Sequence, residues 1–379
     1  MKILMTSETY APRIGGAEVH VVNLLTKLKG LGHEVTLVTN EPGEVSEGVV
    51  RIPWKKSVFF TMLYTLWKHS KECDIIHSHY CHRLAFFSAL IGRVRNVPVV
   101  ITEHGMGILN HPHTKLHNRL VHSFYRYMSL KLAPKIISTS QDLADIAYKY
   151  IPKSKVVIIM NGYDDTLFKV VETSESITPG SHIVTVRRLV PKNGIQYLIE
   201  AMPYLLKINS AVRYTIVGDG PLREKIEKRI KELELENAIT LVGMQPNDVV
   251  VEYLQKADAV IFPSTAESSS IACAEAMGMK KMVIASKVGG LIELLGRDEE
   301  RGILVSLVPW EHSSYDAPVE LPREKYELLA KRIAEGLEQT ELNELRRKNA
   351  YQYARSELCW DAVIAKTVAI FTNLSKETV

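Results

Sequence analysis

The sequence predicts an α/β protein made of two doubly wound parallel sheets, and three observations carry that prediction. Short, nearly continuous apolar runs alternate with longer amphipathic segments. The alternation stops and restarts once, and a polar stretch containing Pro-Gly, VVETSESITPGS at residues 170–181, separates the two series. Strands that are apolar along their whole length are buried on both faces, as in a parallel sheet covered by helices. A length of 379 residues agrees, since one domain usually takes about 100–200.

In the first series, residues 2–5, 34–38, 74–77, 97–102 and 135–138 read as buried strands. Residues 17–31 place Val19, Val22, Leu25 and Leu28 on one helical face, and Asp142 is placed to cap the helix after the fifth strand. The second series has its strands at 183–186, 214–217, 240–242, 259–262 and 282–285. The linker composition sets the junction near residue 175. The expected domains are 1–172 and 173–357, with a C-terminal helix at about 358–379 returning to the first.

A net charge of +4 without a long basic block gives no footing for nucleic acid. Four scattered cysteines, Cys73, Cys81, Cys273 and Cys359, do not form a disulfide framework and fit a reducing compartment. The opening MKILMTSETYAP has too short an apolar core for a signal peptide. No run approaches the roughly 18 apolar residues of a membrane span. The expected location is cytoplasmic, at most on a membrane face.

In doubly wound sheets ligands bind outside the carboxyl ends of the strands, where strand order reverses, so chemistry is expected just after strands. HSHYCH, residues 77–82, sits there and invites a metal reading. In an extended strand His77 and His79 share one face while Ser78 points the other way, and Cys81 and His82 begin the next turn. No second pair of metal-spaced ligands completes a site, so no metal is expected.

Three other stretches carry the candidates. In YAPRIGGAE, Gly15 and Gly16 open a helix and leave backbone N–H groups for an anion; neither GxGxxG nor a Walker A sequence occurs. In VVITEHGMG, His104 follows a strand directly. In IVTVRRLVPKNG, Arg187, Arg188 and Lys192 cluster after a strand, which suits a diphosphate. FPSTAESSSIACAEAMG sets Glu267 and Glu275 eight residues apart, just over two helical turns, with Ser269 and Ser270 at the helix start. Two carboxylates beside a phosphate site can each chelate a pair of sugar hydroxyls.

With these residues in place the sequence resembles the retaining GT-B glycosyltransferases of family 4, the group containing phosphatidylinositol mannosyl- and N-acetylglucosaminyltransferases. The matching stretches run in order over nearly the whole chain: GGAEVHVVNLLTKLKGLGHEVTLVT, DIIHSH, ITEHG, ISTSQ, MNGYD, RLVPKNGIQYLIEA, IVGDGPLREKI, VGM and PSTAESSSIACAEAMGMKKMVIASKVGGLIELL. The resemblance implies two Rossmann-like domains facing across a cleft. It also implies transfer of a hexosyl or N-acetylhexosaminyl group from a nucleotide-sugar to a glycan or lipid-linked acceptor, with retention and no metal or other cofactor. It implies that Glu275 binds the donor ribose, Glu267 the donor sugar and Arg188 the diphosphate. Gly15 and Gly16 would face the phosphates and His104 the sugar.

Three positions depart from the family pattern. Arg187 stands where glycine is usual, Asn193 where a lysine is usual, and Lys280-Lys281-Met282 where Gly-Lys-Pro is usual. Losing a phosphate-binding lysine costs roughly 2–5 kcal/mol if its partner stays buried, so Lys192 or Arg187 is expected to substitute. Two other readings compete: a non-catalytic nucleotide- or lipid-binding member, and a nucleotide-sugar 2-epimerase, which the AESSSIACAEAMG segment fits less well.

Residues 53–71, PWKKSVFFTMLYTLWKHSK, suggest how a lipid acceptor is reached. Phe59, Met62, Leu63, Leu66 and Trp67 form a helical stripe expected to pack on the first sheet. Phe60 and Tyr64 widen it, and Lys55, Lys56, Lys68 and Lys71 flank the ends. Aromatic rings beside lysines suit reversible contact with an anionic membrane.

Overall fold

The computed structural model describes residues 1–13, 15–52, 58–105, 116–170, 182–307 and 320–377. The chain divides into two compact units, Met1–Gly162 with Trp360–Val379, and Tyr163–Cys359. The junction expected near residue 175 lies outside the described residues, as do Lys55 and Lys56.

Unit 1 runs β1 (Lys2–Ser7), α1 (Gly16–Gly30), β2 (Glu34–Thr39), β3 (Val49–Arg51), α2 (Val58–His69), β4 (Ile75–His79), α3 (Arg83–Arg95), β5 (Val99–Glu103), α4 (Leu116–Leu132), β6 (Lys135–Ser138), α5 (Gln141–Ala147) and β7 (Val156–Ile158). The strands form a parallel sheet in the order β3-β2-β1-β4-β5-β6-β7, so strand order reverses between β1 and β4. Neighbouring residues of β1 serve opposite faces, as the two-residue strand period requires. Leu4 enters a core under α2, α3 and α4, whereas Ile3 and Met5 enter a core with Val21, Leu24 and Leu28 of α1. That second core also takes Trp360, Ile364 and Phe371 of the C-terminal helix Trp360–Glu377. Truncating a fully buried member such as Leu24 to Ala should cost about 2–5 kcal/mol.

Unit 2 runs β8 (His182–Val186), α6 (Ile195–Ile208), β9 (Arg213–Val217), α7 (Arg223–Glu232), β10 (Ile239–Gly243), α8 (Asn247–Lys256), β11 (Ala259–Phe262), α9 (Ile271–Gly278), β12 (Met282–Ser286), α10 (Gly289–Leu295), β13 (Ile303–Val305), α11 (Arg323–Leu337) and α12 (Glu341–Tyr353), after which the C-terminal helix, α13, returns to unit 1. Its sheet is parallel in the order β10-β9-β8-β11-β12-β13, and the reversal falls between β8 and β11.

Three expectations need correction. The buried stripe of α1 is Glu18, Val21, Leu24, Leu25 and Leu28 with His20, while Val19 and Val22 are only half-buried. Two polar residues thus take inward places that a hydrophobic pattern assigns to valines. Ser140, not Asp142, caps α5, its hydroxyl accepting from the Leu143 N–H, and Asp142 lies within the first turn. There the Asp142 charge still favours the positive helix end. In α2, Met62 and Leu66 are buried as expected, but Phe59 and Trp67 are 42% and 47% exposed, so the stripe on the core is narrower.

Candidate functional site

In unit 2 the candidates gather outside the carboxyl ends of β8 and β11, the strands that flank the reversal. Arg187 leaves β8 and its Nη2 lies 2.6 Å from Oε2 of Glu267, which follows β11; both side chains are largely buried. The Arg187 guanidinium also sits over the Phe262 ring, 5.1 Å from its centroid. Arg188 turns outward and is exposed. Burial lowers the Lys192 pKa and the charges of Arg187 and Arg188 add to this, while Glu267 opposes it. All four charged groups are therefore close enough to feel one another.

Asn193, in the usual lysine position, is buried and committed elsewhere, its side-chain amide donating to the Arg188 carbonyl at 2.7 Å. Thr265 donates its backbone N–H to the Lys192 carbonyl at 2.8 Å, tying this loop to the one after β11. Two glycines allow the backbones to approach so closely. Gly194 has φ +71, and a Cβ there would lie 1.8 Å from the Pro263 carbonyl oxygen. A Cβ on Gly290 would lie 1.8 Å from the Ser268 carbonyl oxygen, and the Gly290 N–H donates to the Glu267 carbonyl at 3.0 Å.

Ser270 caps α9, its hydroxyl accepting from the Cys273 N–H, and Ser269 beside it is buried. Glu275 lies on α9, half-buried. Burial, and after it the Asp164 carboxylate, push its pKa up to about 8. Lys280 adopts φ +57, a left-handed conformation that favours the glycine usual in the family. Its ammonium pairs with Glu344 at 2.8 Å.

In unit 1 the six residues of HSHYCH do not converge. His77 shares a hydrogen bond with Thr102 at 2.7 Å, Ser78 with Thr6 at 2.6 Å, and His82 meets Glu8 at 3.3 Å. Cys81 is buried in the core. His79, however, joins two histidines from elsewhere. It shares a hydrogen bond with His104 at 2.9 Å, and the His20 ring lies 4.8 Å from that of His104. One ring nitrogen from each of His20, His79 and His104 lies within 4.8 Å of the others, a set able to hold a metal ion. The hydrogen bond between His79 and His104 already uses two of the six ring nitrogens.

No acid lies among these rings to favour their charged forms. Burial pushes His20 down to about 4, opposed by a hydrogen bond from Asn161. Burial and the nearby His20 push His77 down to about 3. His79 and His104 are held well below the usual value by burial and by the neighbouring imidazoles. The cluster is neutral near pH 7.

Gly15 precedes α1 as its cap, and Gly16 opens the helix. A Cβ on Gly15 would collide with the Glu18 carboxylate, whose other oxygen lies 3.7 Å from Arg13. An anion at this helix end would meet Glu18 as well as the backbone N–H groups.

Sequence reasoning missed four further residues here. His20 and Glu18 sit inside an otherwise apolar helix face. Tyr80 holds φ +66 directly after β4, a strain of about 1–3 kcal/mol for a non-glycine residue. Glu103, next to His104, forms a buried ion pair with Arg126 of α4. Only the polar interruptions of α1 offered a signal; the ion pair and the strained turn had none.

Comparison with known proteins adds the family context. Residues 14–167 match the family described as Glycosyltransferase Family 4, and residues 173–313 match Glycosyl transferases group 1. The chain is 25% identical over 320 residues to a phosphatidylinositol N-acetylglucosaminyltransferase from Arabidopsis thaliana, covering 79% of this chain and 70% of that protein. It is 26% identical over 341 residues to alpha-monoglucosyldiacylglycerol synthase of Acholeplasma laidlawii, covering 80% and 84%. The crystal structure of Anabaena HepE in complex with UDP superposes with a TM-score of 0.79 at 19% identity, covering 98% of this chain and 100% of that one.

Proposed function

This chain belongs to the family 4 glycosyltransferases of GT-B fold, and from that premise we propose that it moves a hexosyl or N-acetylhexosaminyl group from a nucleotide-sugar to a lipid-linked or glycan acceptor, with retention. The observation that carries the donor reading is the set Arg187, Arg188, Lys192 and Glu267 at the strand reversal of unit 2, beside the Ser270-capped start of α9. Cations there suit a diphosphate whose charge grows as the sugar leaves.

In this reading Arg188 and Lys192 hold the diphosphate, with Ser269 and Ser270 supplying donors at the helix start. Glu275 takes the ribose hydroxyls and Glu267 the hydroxyls of the transferred sugar. Gly15 and Gly16 serve the phosphates and His104 the sugar. His104 is suited to a neutral, hydrogen-bonding role because its pKa is held well below 6.5. Lys192 takes over from the usual lysine, since Asn193 is occupied in holding the loop. Lipid-linked acceptors are favoured because two relatives are named for transfer to lipids and because α2 exposes a row of aromatic rings.

A thermal-shift panel of UDP-, GDP- and ADP-sugars tests the donor reading, since a ligand at 100 times its Kd adds about 2.7 kcal/mol of stability. A shift with one nucleotide class, followed by release of that nucleotide only when a lipid or glycan acceptor is added, is the expected result. No shift with any of them sinks the reading. The reaction is proposed to need no metal, so EDTA should leave the rate unchanged. Inhibition by EDTA that zinc reverses would instead place a metal on His20, His79 and His104.

A further inference from the structure

We propose that Arg187 is a positioning residue for the Glu267 carboxylate and so sets how strongly the protein prefers a nucleotide-sugar over the bare nucleotide; this rests on the reading that Glu267 meets the donor sugar. Arg187 and Glu267 approach from neighbouring strands at the point where strand order reverses, with side chains 12% and 9% exposed. The main chain is fixed at both ends of the pair. The Arg187 N–H donates to the Val217 carbonyl at 2.9 Å, and a Cβ on Gly218 would lie 1.9 Å from the Arg187 carbonyl oxygen. At the other end Gly290 grips the Glu267 carbonyl. What remains free is rotation of the Glu267 side chain, and the guanidinium, itself seated on Phe262, removes that freedom.

The hold is ionic rather than a directed hydrogen bond. Arg187 Nη2 and Glu267 Oε2 are 2.6 Å apart, yet neither atom has a hydrogen-bond partner of acceptable geometry. The carboxylate therefore keeps lone pairs for sugar hydroxyls while its orientation is set. A buried carboxylate without this counter-charge would be costly to keep ionised. Pairing Arg187 with Glu267 also leaves Arg188 and Lys192 to the diphosphate, so the two tasks are separable by experiment.

Calorimetric titrations with UDP and UDP-glucose, GDP and GDP-mannose, and ADP and ADP-glucose give a sugar increment for whichever pair binds: the Kd of the nucleotide divided by that of its sugar conjugate. Arg187→Gln should leave the nucleotide Kd within about threefold of wild type and cut the increment about tenfold, as expected for loss of a charge-assisted contact. Arg187→Lys should restore part of it. Retained nucleotide binding reports a folded unit 2. Equal weakening of both ligands by Arg187→Gln would assign Arg187 to the diphosphate and overturn the proposal, as would no change in either. An unchanged increment in Glu267→Gln overturns the underlying donor reading, and so does the absence of binding by every pair.

Discussion

Glu275 carries a cost that a donor can relieve. Its carboxyl is protonated below about pH 8 because burial, with Asp164 nearby, disfavours the charge. To accept both ribose hydroxyls it must release that proton, so binding favours the ionised form. Nucleotide affinity should climb as pH rises from 6 towards 8, by at most about tenfold per unit, and level off above. Glu275→Ala should lose roughly 1.5–3 kcal/mol of affinity at pH 8 and flatten the profile. Titration calorimetry at pH 6, 7, 8 and 9 checks both; a flat wild-type profile would remove Glu275 from the ribose. The eight-residue spacing of Glu267 and Glu275 was legible because helical periodicity converts spacing into geometry. The partner of Glu267 was not, since Arg187 and Glu267 are eighty positions apart and only strand order brings them together. Lys280 shows the same limit: the sequence reveals a lysine in a glycine position, but only the backbone gives the φ of +57.

Among elements, the long apolar strands were readable and the short edges were not. β3 and β7 have three half-buried residues each, too few for a periodic signal. α2 was readable as a helix, but how far its apolar face is covered depends on neighbours. Phe60 is 75% and Tyr64 67% exposed. Ring contacts run from Phe60 to Phe59, on to Phe87 and Phe86 of α3 and to Phe124 of α4. Trp67 is covered on one face by Arg95, 3.7 Å from the ring centroid. A connected row of exposed rings marks an interaction surface, and no helix among the described residues is long and apolar enough to cross a membrane. Surface attachment is the mode that fits. The protein should sediment with vesicles of phosphatidylcholine and phosphatidylglycerol at low salt, and less so at high salt. Phe60→Ser with Tyr64→Ser should weaken this about tenfold or more, without loss of stability, since neither ring is in the core. Failure to sediment with anionic vesicles, together with good transfer to a soluble acceptor, would refute surface attachment.

For the molecule as a whole, acid should act first on unit 1, because four imidazoles are buried there without an acid among them. An unfolded histidine titrates near 6.5, whereas His20 and His77 titrate at about 4 and about 3 in the folded chain. Below pH 6.5 the unfolded chain therefore binds more protons than the folded one, and stability falls as pH falls. Above 6.5 both states are neutral at these sites and the effect vanishes. At pH 5 each of the two groups lies about 1.5 units below its unfolded pKa and still above its folded one, so each removes about 2 kcal/mol. His79 and His104 act in the same direction. Against a typical total of about 5–15 kcal/mol, this is enough to unfold unit 1 near pH 5. Glu275 in unit 2 has the opposite sign: its raised pKa favours the folded chain at low pH and withdraws that support as pH rises towards 8. Urea unfolding followed at pH 7, 6 and 5 should show an early transition, sensed by tryptophan emission because Trp360 packs 5.3 Å from the His20 ring, that moves to lower urea as pH drops. His77→Gln, which keeps a polar group able to reach Thr102, should recover about 2 kcal/mol of the loss between pH 7 and 5. If that variant tracks the wild type at every pH, His77 titrates normally in the folded chain and the histidine cluster is not the acid-sensitive element.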